Sequence, residues 1–218
     1  VIRTSAFLAA KGQIDGQARE KLGTIDSQVE RVQSMVRDML MLTRLEQPVE
    51  LTFTFTPGDL EPLLARTVGE LGSIAAHNDQ SLVYESSGEV LFVDHDSEKI
   101  VRALTNLINN ALKYTSKGGK IWVRSCLHEH QVIIEVEDTG QGIPAEELSH
   151  IFNRFYRAKE HRKTSGGLGL GLAIVEKIVH AHQGEITVQS VVQKGTTFRI
   201  QLPAATPISE TDSPLTVP

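Results

Sequence analysis

The residues best suited to chemistry fall in three groups, the richest being Gly166 to Val175, GGLGLGLAIV. Gly167, Gly169 and Gly171 leave one side of the backbone without β-carbons, so main-chain amides can close on a large anion such as a polyphosphate. Leu172, Ala173, Ile174, Ile178 and Val179 follow at helical spacing and would aim the positive end of a helix dipole at the same place. Taken alone, a glycine cluster before a helix is equally a plain flexible turn. In the second group, Asn106 and Asn110 stand four apart on a predicted helix and share a face, with Lys113 and Tyr114 a turn further on. An amide oxygen and an ammonium there suit a magnesium ion and its phosphates, although a helical Asn alone is more often solvated or capping. In the third, EVEDTGQGIP at Glu135 to Pro144 sets Asp138 at the end of an apolar strand, ahead of Gly140 and Gly142. A strand-end carboxylate can accept from the amine of a base and the glycines let the turn close on a flat ring; DxG by itself is an ordinary turn.

Other chemistries are excluded by context. A dinucleotide fingerprint follows a hydrophobic strand, whereas the basic polar run AKEHRKTS precedes these glycines. A Walker A loop needs GxxxxGK and then Ser or Thr, but Gly119 and Lys120 are followed by Ile121. His128, His130 and His161 show neither HExxH nor clustered Cys and His spacing, so zinc is not expected. The formal net charge of -5 argues against a nucleic-acid surface spread over the protein, and no nucleic-acid partner is expected. Positive charge is local, with Arg154, Arg157, Lys159, Arg162 and Lys163 crowded ahead of the glycine loop. One cysteine, Cys126, allows no internal disulfide and fits a reducing compartment, so a cytoplasmic location is expected. No apolar run approaches the ~18 residues of a membrane helix, and neither a span, a membrane contact nor a signal peptide is expected of these residues.

The elements that must position these groups are read from periodicity. The 218 residues, 40% hydrophobic and 22% charged, suit one substantial core and something smaller. VIRTSAFLAAK is helix-compatible and KGQIDGQ a turn; Leu22, Ile25, Val29, Val32, Val36 and Met39 then form a heptad seam that Pro48 ends. A lone amphipathic hairpin buries too little to be stable, so residues 1–48 are read as half of a four-helix homodimer, against the alternative of a hairpin folded onto its own C-terminal domain. Residues 49–203 form the second domain. A strand is expected at LTFTF, Leu51 to Phe55, with Pro57, Gly58 and Asp59 introducing a helix to about Ala76. Strands follow near Leu82 to Tyr84 and Val90 to Val93, then a helix from Asp96 to Tyr114. Further strands are expected at Lys120 to Leu127, Val132 to Glu137, Glu185 to Ser190 and Thr196 to Leu202. The partial alternation predicts an α+β fold, a mixed sheet covered on one face by helices. The Pro, Ser and Thr rich tail, 204–218, is expected to be disordered.

The order of the clusters adds a resemblance. NLINNALKY, DTGQGIP, FNRFYR, GGLGLGL and KGTTF resemble, in sequence, the N, G1, F, G2 and G3 boxes of two-component sensor histidine kinases, and AREKLGTIDSQVERVQSMVRDMLMLTRLEQ resembles the second helix of their dimerisation and phosphotransfer domain. The resemblance extends to about Leu202 and implies a Bergerat-type ATP-binding domain with a mobile lid, here Ala158 to Leu168. It implies that Asn110 binds magnesium, Asn106 helps arrange the metal and phosphates, Lys113 contacts phosphate and Tyr114 packs near the nucleotide. It also implies that Asp138 takes the adenine amine, that Gly140, Gly142 and Ile143 shape the base pocket, and that Gly167, Leu168, Gly169, Leu170 and Gly171 cradle the phosphates. Thr197 would reach the base through water, Arg157 would meet the γ-phosphate, and His182 would be structural, with Gly184 ending its helix. The implied partner is the receiver domain of a response regulator.

One departure stands out: none of the eight histidines is followed by the acidic residue and proline of an H box, so the phosphoacceptor is expected a few residues before Val1. Competing expectations are another ATPase of the same fold, which would place Glu where Asn106 stands, and a pseudokinase dimerisation scaffold.

Overall fold

The computed structural model describes residues 53–157 and 168–205, together with Ile25, Val29 and Val32. The chain divides into two units, Val1–Glu50 and Leu51–Pro218. Of the expected hairpin, the three described positions are helical; the rest of residues 1–48 lies outside the described residues, as do 158–167 and 206–218.

In the second unit the order is β1 (Thr56–Asp59), α1 (Glu61–His77), β2 (Ser81–Ser86), β3 (Phe92–His95), α2 (Ser97–Tyr114), β4 (Lys120–His128), β5 (Gln131–Asp138), α3 (Ala145–Leu148), α4 (Gly171–Ala181), β6 (Glu185–Val191) and β7 (Gly195–Pro203). Five strands form one mixed sheet in the order β2-β4-β5-β7-β6, in which β2 and β4 are parallel and the other neighbours antiparallel. Its inner face carries Ile121 and Val123, Val132, Ile134 and Val136, and Phe198, Ile200 and Leu202, every second residue of β4, β5 and β7. Helices cover that face. The α+β arrangement expected from the sequence is the one observed.

The helix α2 shows why. Ile100, Ala103, Leu104, Leu107, Ile108, Ala111 and Leu112 are buried at alternating steps of three and one, a single apolar stripe. Asp96 caps its start, accepting from the Lys99 amide at 3.1 Å. Its last carbonyl region is closed by Gln80, whose Nε2 donates to Leu112 O at 2.8 Å and Thr115 O at 2.5 Å, and Thr115 turns extended. Cutting Leu104, 2% exposed, to Ala would cost about 2–5 kcal/mol. On the outer face Arg124 pairs with Glu85 at 2.7 Å and with Glu137, and Arg199 with Glu135 at 2.6 Å. Such exposed pairs contribute about 0–1 kcal/mol each.

Two expectations are corrected. The strand expected at LTFTF begins later: 53–55 has no regular structure, and Thr56–Asp59 pairs antiparallel with β3, Thr56 opposite His95. The Thr54 amide is taken instead by the Asp96 Oδ2 at 3.1 Å. The rings of Phe53 and Phe55 stack on each other at 5.5 Å rather than alternating across a sheet. The expected tail also starts too early, since Ala204 N–H donates to His130 O and Ala205 N–H to Phe92 O, both at 2.8 Å.

Candidate functional site

The groups singled out in the sequence converge where the C-terminal half of α2 meets the start of α4 and the loop after β5. Burying the stripe of α2 leaves Asn106 and Asn110 half-exposed on its flank. The Asn106 Nδ2 donates to Gly171 O, a long bond at 3.4 Å, which joins that flank to the first residue of α4. One turn on, Lys113 is exposed with its Nζ 4.8 Å above the Tyr114 ring.

Asp138 ends β5 and is 7% exposed. Burial pushes its carboxyl up to about 6, against the pull of the Gly140 and Thr196 backbone amides, with a smaller push from Glu137. The Gly140 amide donates to its Oδ1 at 2.7 Å. A carboxylate accepts at about four lone-pair sites, so it keeps capacity for a further N–H donor. The loop after it presses on the end of α2: a β-carbon at Gly140 would lie 2.5 Å from Tyr114 O, and the Gln141 amide donates to the same carbonyl at 3.2 Å. Gly142 has φ +70°, a left-handed turn that brings it against the β6–β7 hairpin, where a β-carbon would lie 2.2 Å from Val191 O. The result is a narrow wall of main chain beside a buried acceptor.

The glycine loop is described from Leu168 on, so Gly167 and the expected lid up to it lie outside the described residues. Gly169 has φ +70° and crosses the Phe155–Tyr156 segment so closely that a β-carbon would sit 2.3 Å from Tyr156 O. The FNRFYR segment is thereby fastened to the glycine loop, with half-buried Arg157 at the end of the described stretch. Leu170, 2% exposed, anchors the loop in the core at the start of α4, while Leu168 is 36% exposed.

One proposed site residue is misplaced. Thr197 pairs with Glu137 on the outer face of the sheet, opposite to the face of Asp138. The strand alternation puts Thr196 there instead: it is 6% exposed and opposite Asp138, and its amide bonds the carboxylate. Alternation within β7 sets Thr196 on the face of Phe198, which points into the core, but that this face meets Asp138 follows only from the pairing of β7 with β5. Ser190, which bonds both Thr196 and Ile143 at 2.9 and 2.8 Å, was not singled out in the sequence at all. A hydroxyl near the end of an ordinary strand carries no sequence signal.

Among the described residues no group of three or more His, Cys, Asp or Glu could hold a metal ion. The amides of Asn106 and Asn110 fit a magnesium ion that arrives with phosphates and keeps several waters, since it needs few protein oxygens. The buried acceptor, the glycine-walled slot and the helix start opposite the Asn pair together fit a nucleoside triphosphate.

Residues 95–206 match the family model described as "Histidine kinase-, DNA gyrase B-, and HSP90-like ATPase". The sensor histidine kinase RppB of Synechocystis sp. is 42% identical over 185 residues, covering 84% of this chain and 40% of that protein. The chain spans less than half the length of the first curated relatives it matches. Among solved structures, full-length ShkA in complex with AMPPNP superposes with a TM-score of 0.78 at 25% identity, over 94% of this chain and 42% of that one. The catalytic domain of the histidine kinase ThkA gives 0.62 at 30% identity, over 69% of this chain and 95% of that domain. ThkA in complex with the response regulator protein TrrA gives 0.70 over 94% of this chain and 57% of that one, at 24% identity a likeness of fold alone.

Proposed function

Because the chain belongs to the histidine kinase-, DNA gyrase B- and HSP90-like ATPase family, we propose that it is the ATP-binding part of a two-component sensor histidine kinase. The observation that carries this is Asp138, a buried acceptor held by two backbone amides in a glycine-walled slot at the end of α2. In this reading the carboxylate takes the adenine amine, Gly140, Gly142 and Ile143 line the ring, and Tyr114 packs beside it. Lys113 contacts phosphate. Gly167, Leu168, Gly169, Leu170 and Gly171 cradle the phosphate chain. Asn110 holds magnesium, which when bound neutralises phosphate charge, and Asn106 keeps α2 and α4 in register for it.

Asn106 also separates kinase from hydrolase. An amide has no basicity with which to take a proton from water, and its nitrogen is already donated to Gly171 O. The site therefore positions a triphosphate for a nucleophile brought from elsewhere. That nucleophile is an imidazole nitrogen outside these 218 residues, since none of the eight histidines here has the required surroundings. Its lone pair forms the N–P bond to the γ-phosphorus, the bond to the bridging oxygen breaks, ADP leaves, and Arg157 stabilises the spread charge. The phosphoryl group then passes to an aspartate of a response-regulator receiver domain.

The protein acts as a homodimer through residues 1–48, with its catalytic part in the cytoplasm. No helix among the described residues is long and apolar enough to cross a membrane. The test is radiolabelled ATP with this chain and with a longer one carrying the native residues before Val1. The longer chain is expected to gain an acid-labile, base-stable phosphate and pass it to a receiver domain, while the shorter one binds ATP without stable label. Acid-labile label on the short chain would place the acceptor among its own histidines, and ATP binding with no label on either would leave a scaffold.

A further inference from the structure

We propose that Ser190 is a positioning residue for base recognition, tying the glycine turn that walls the slot to the threonine beside Asp138 and so setting the preference for a purine ring with an amine, rather than a carbonyl or a hydrogen, at its six-position. The inference rests on the reading of this slot as the base pocket of an ATP site.

Ser190 stands one residue before the end of β6, half-buried on the inward side of the strand. Its Oγ accepts from the Ile143 amide at 2.8 Å, and it lies 2.9 Å from both Gly195 O and Thr196 Oγ1. These three contacts tie the end of β6 to two pieces of chain: the turn after Asp138, and the start of β7, where the Thr196 amide holds the carboxylate. The turn has a second tie to the hairpin, the Gln193 amide to Gln141 O at 2.7 Å, which is main chain to main chain. Ser190 supplies the side-chain tie, placed beside Gly142 where the hairpin and the turn already approach within contact.

The hydroxyl also has a polarity. It owns one proton and two lone pairs, and the Ile143 amide occupies one lone pair. With the proton given to Gly195 O, the second lone pair receives the Thr196 hydroxyl proton. The Thr196 oxygen is then left with lone pairs only, next to a carboxylate that also only accepts when ionised. Two adjacent acceptors match the N–H edge of an amine or a water that bridges to it, and they oppose a ring carbonyl at the same position. Without the serine, the Thr196 hydroxyl is free to turn and donate, and the Ile143 amide loses its partner.

Calorimetric titration of the whole chain with ATP, with GTP, and with the purine riboside triphosphate that lacks the amine tests this on wild type, Ser190→Ala, Ser190→Cys and Ser190→Thr. Ser190→Ala is expected to weaken ATP about 5- to 20-fold while weakening the amine-free analogue less than about twofold, so that the preference between them shrinks. Ser190→Thr, which keeps the hydroxyl on a β-compatible residue, should restore ATP to within about twofold. Ser190→Cys keeps the size but bonds weakly, should follow the alanine variant, and decides the matter if that variant does not fold. Equal weakening of all three ligands, or none, overturns the assignment. A wild-type chain without preference for ATP overturns the ATP-site reading and this inference together, whereas a wild type that prefers ATP beside an indifferent Ser190→Ala overturns this inference alone.

Discussion

The two ends of the α2–α4 pair are built in opposite ways. At the end remote from the glycine loop, the Asp96 amide donates to His182 Nε2 at 3.0 Å, and His182 Nδ1 reaches Ile178 O at 2.7 Å. Asp96 spends one carboxylate oxygen on Lys99 and the other on Thr54. Phe53 and Phe55 close over the imidazole, their ring centres 5.7 and 5.0 Å from it. Asp96 and His182 are 6% and 3% exposed, with both carboxylate oxygens and both ring nitrogens engaged by protein. At the other end Asn106 and Asn110 are half-exposed, and a long bond from Asn106 to Gly171 O links the helices. The first end is finished by the chain itself. The second leaves the amides of Asn106 and Asn110 half-exposed among the described residues. On the function proposed above, stability and ligand binding fall to different ends of one helix pair, and substitutions should separate them.

The largest expected effect is on stability. His182→Ala strands the Asp96 amide and opens a cavity under Phe53 and Phe55, so it should cost about 2–4 kcal/mol. For a domain of this size that is roughly 5–15 °C in Tm, read by calorimetry. ATP affinity measured well below the transition should stay within about twofold, because the Asn106 end is untouched. An equal loss of affinity would show that the two ends are not independent.

Asp138→Ala should invert that pattern. Removing the acceptor should cost ATP about 1.5–3 kcal/mol, or about 10- to 150-fold in Kd, by calorimetric titration. The nucleotide-free domain should melt close to wild type at pH 7.5, since relief of the buried charge offsets the two backbone amides left without their acceptor. Unchanged ATP affinity would remove Asp138 from the site.

The same contrast explains what could be read from the sequence. The stripe of α2, the apolar strands after it and the helix that starts at Gly171 are periodic or compositional, and each emerged close to its expected bounds. Asp138, Gly142 and Gly169 were legible because a strand end and a glycine mark them locally. Their partners were not. Which threonine of KGTTF faces Asp138 depends on pairing β7 with β5, a contact between residues 58 apart in sequence, Asp138 and Thr196. The strand at Thr56–Asp59 was missed for a similar reason: LTFTF has the better β pattern, but His182 and Asp96, distant in sequence, claim its rings and its amide.

The smallest expected effect is a pH dependence, and here the two ends carry opposite signs. Burial lowers the His182 pKa, with the Ile178 carbonyl and Asp96 acting the other way; His95 lowers it further and Asp94 raises it. The folded chain thus binds fewer protons there than the unfolded one below about pH 6.5, and this contribution to stability is full above that value and falls as pH drops. Asp138 is raised to about 6 from near 4, so the folded chain holds a proton the unfolded chain lacks between those values. Its contribution is therefore lost as pH rises from about 4 through about 6. Nucleotide reverses the second effect only, because a base amine needs the ionised carboxylate. From pH 7 to pH 5 the ionised fraction falls from about nine-tenths to about one-tenth, so ATP affinity should fall about tenfold. ATP's own phosphates titrate in the same range, so Asp138→Asn is the control: it should bind more weakly at pH 7 and lack the part of the slope that belongs to the carboxyl. If the variant keeps the whole slope, the titration is that of the nucleotide, and the carboxyl at the binding end is already ionised across the range.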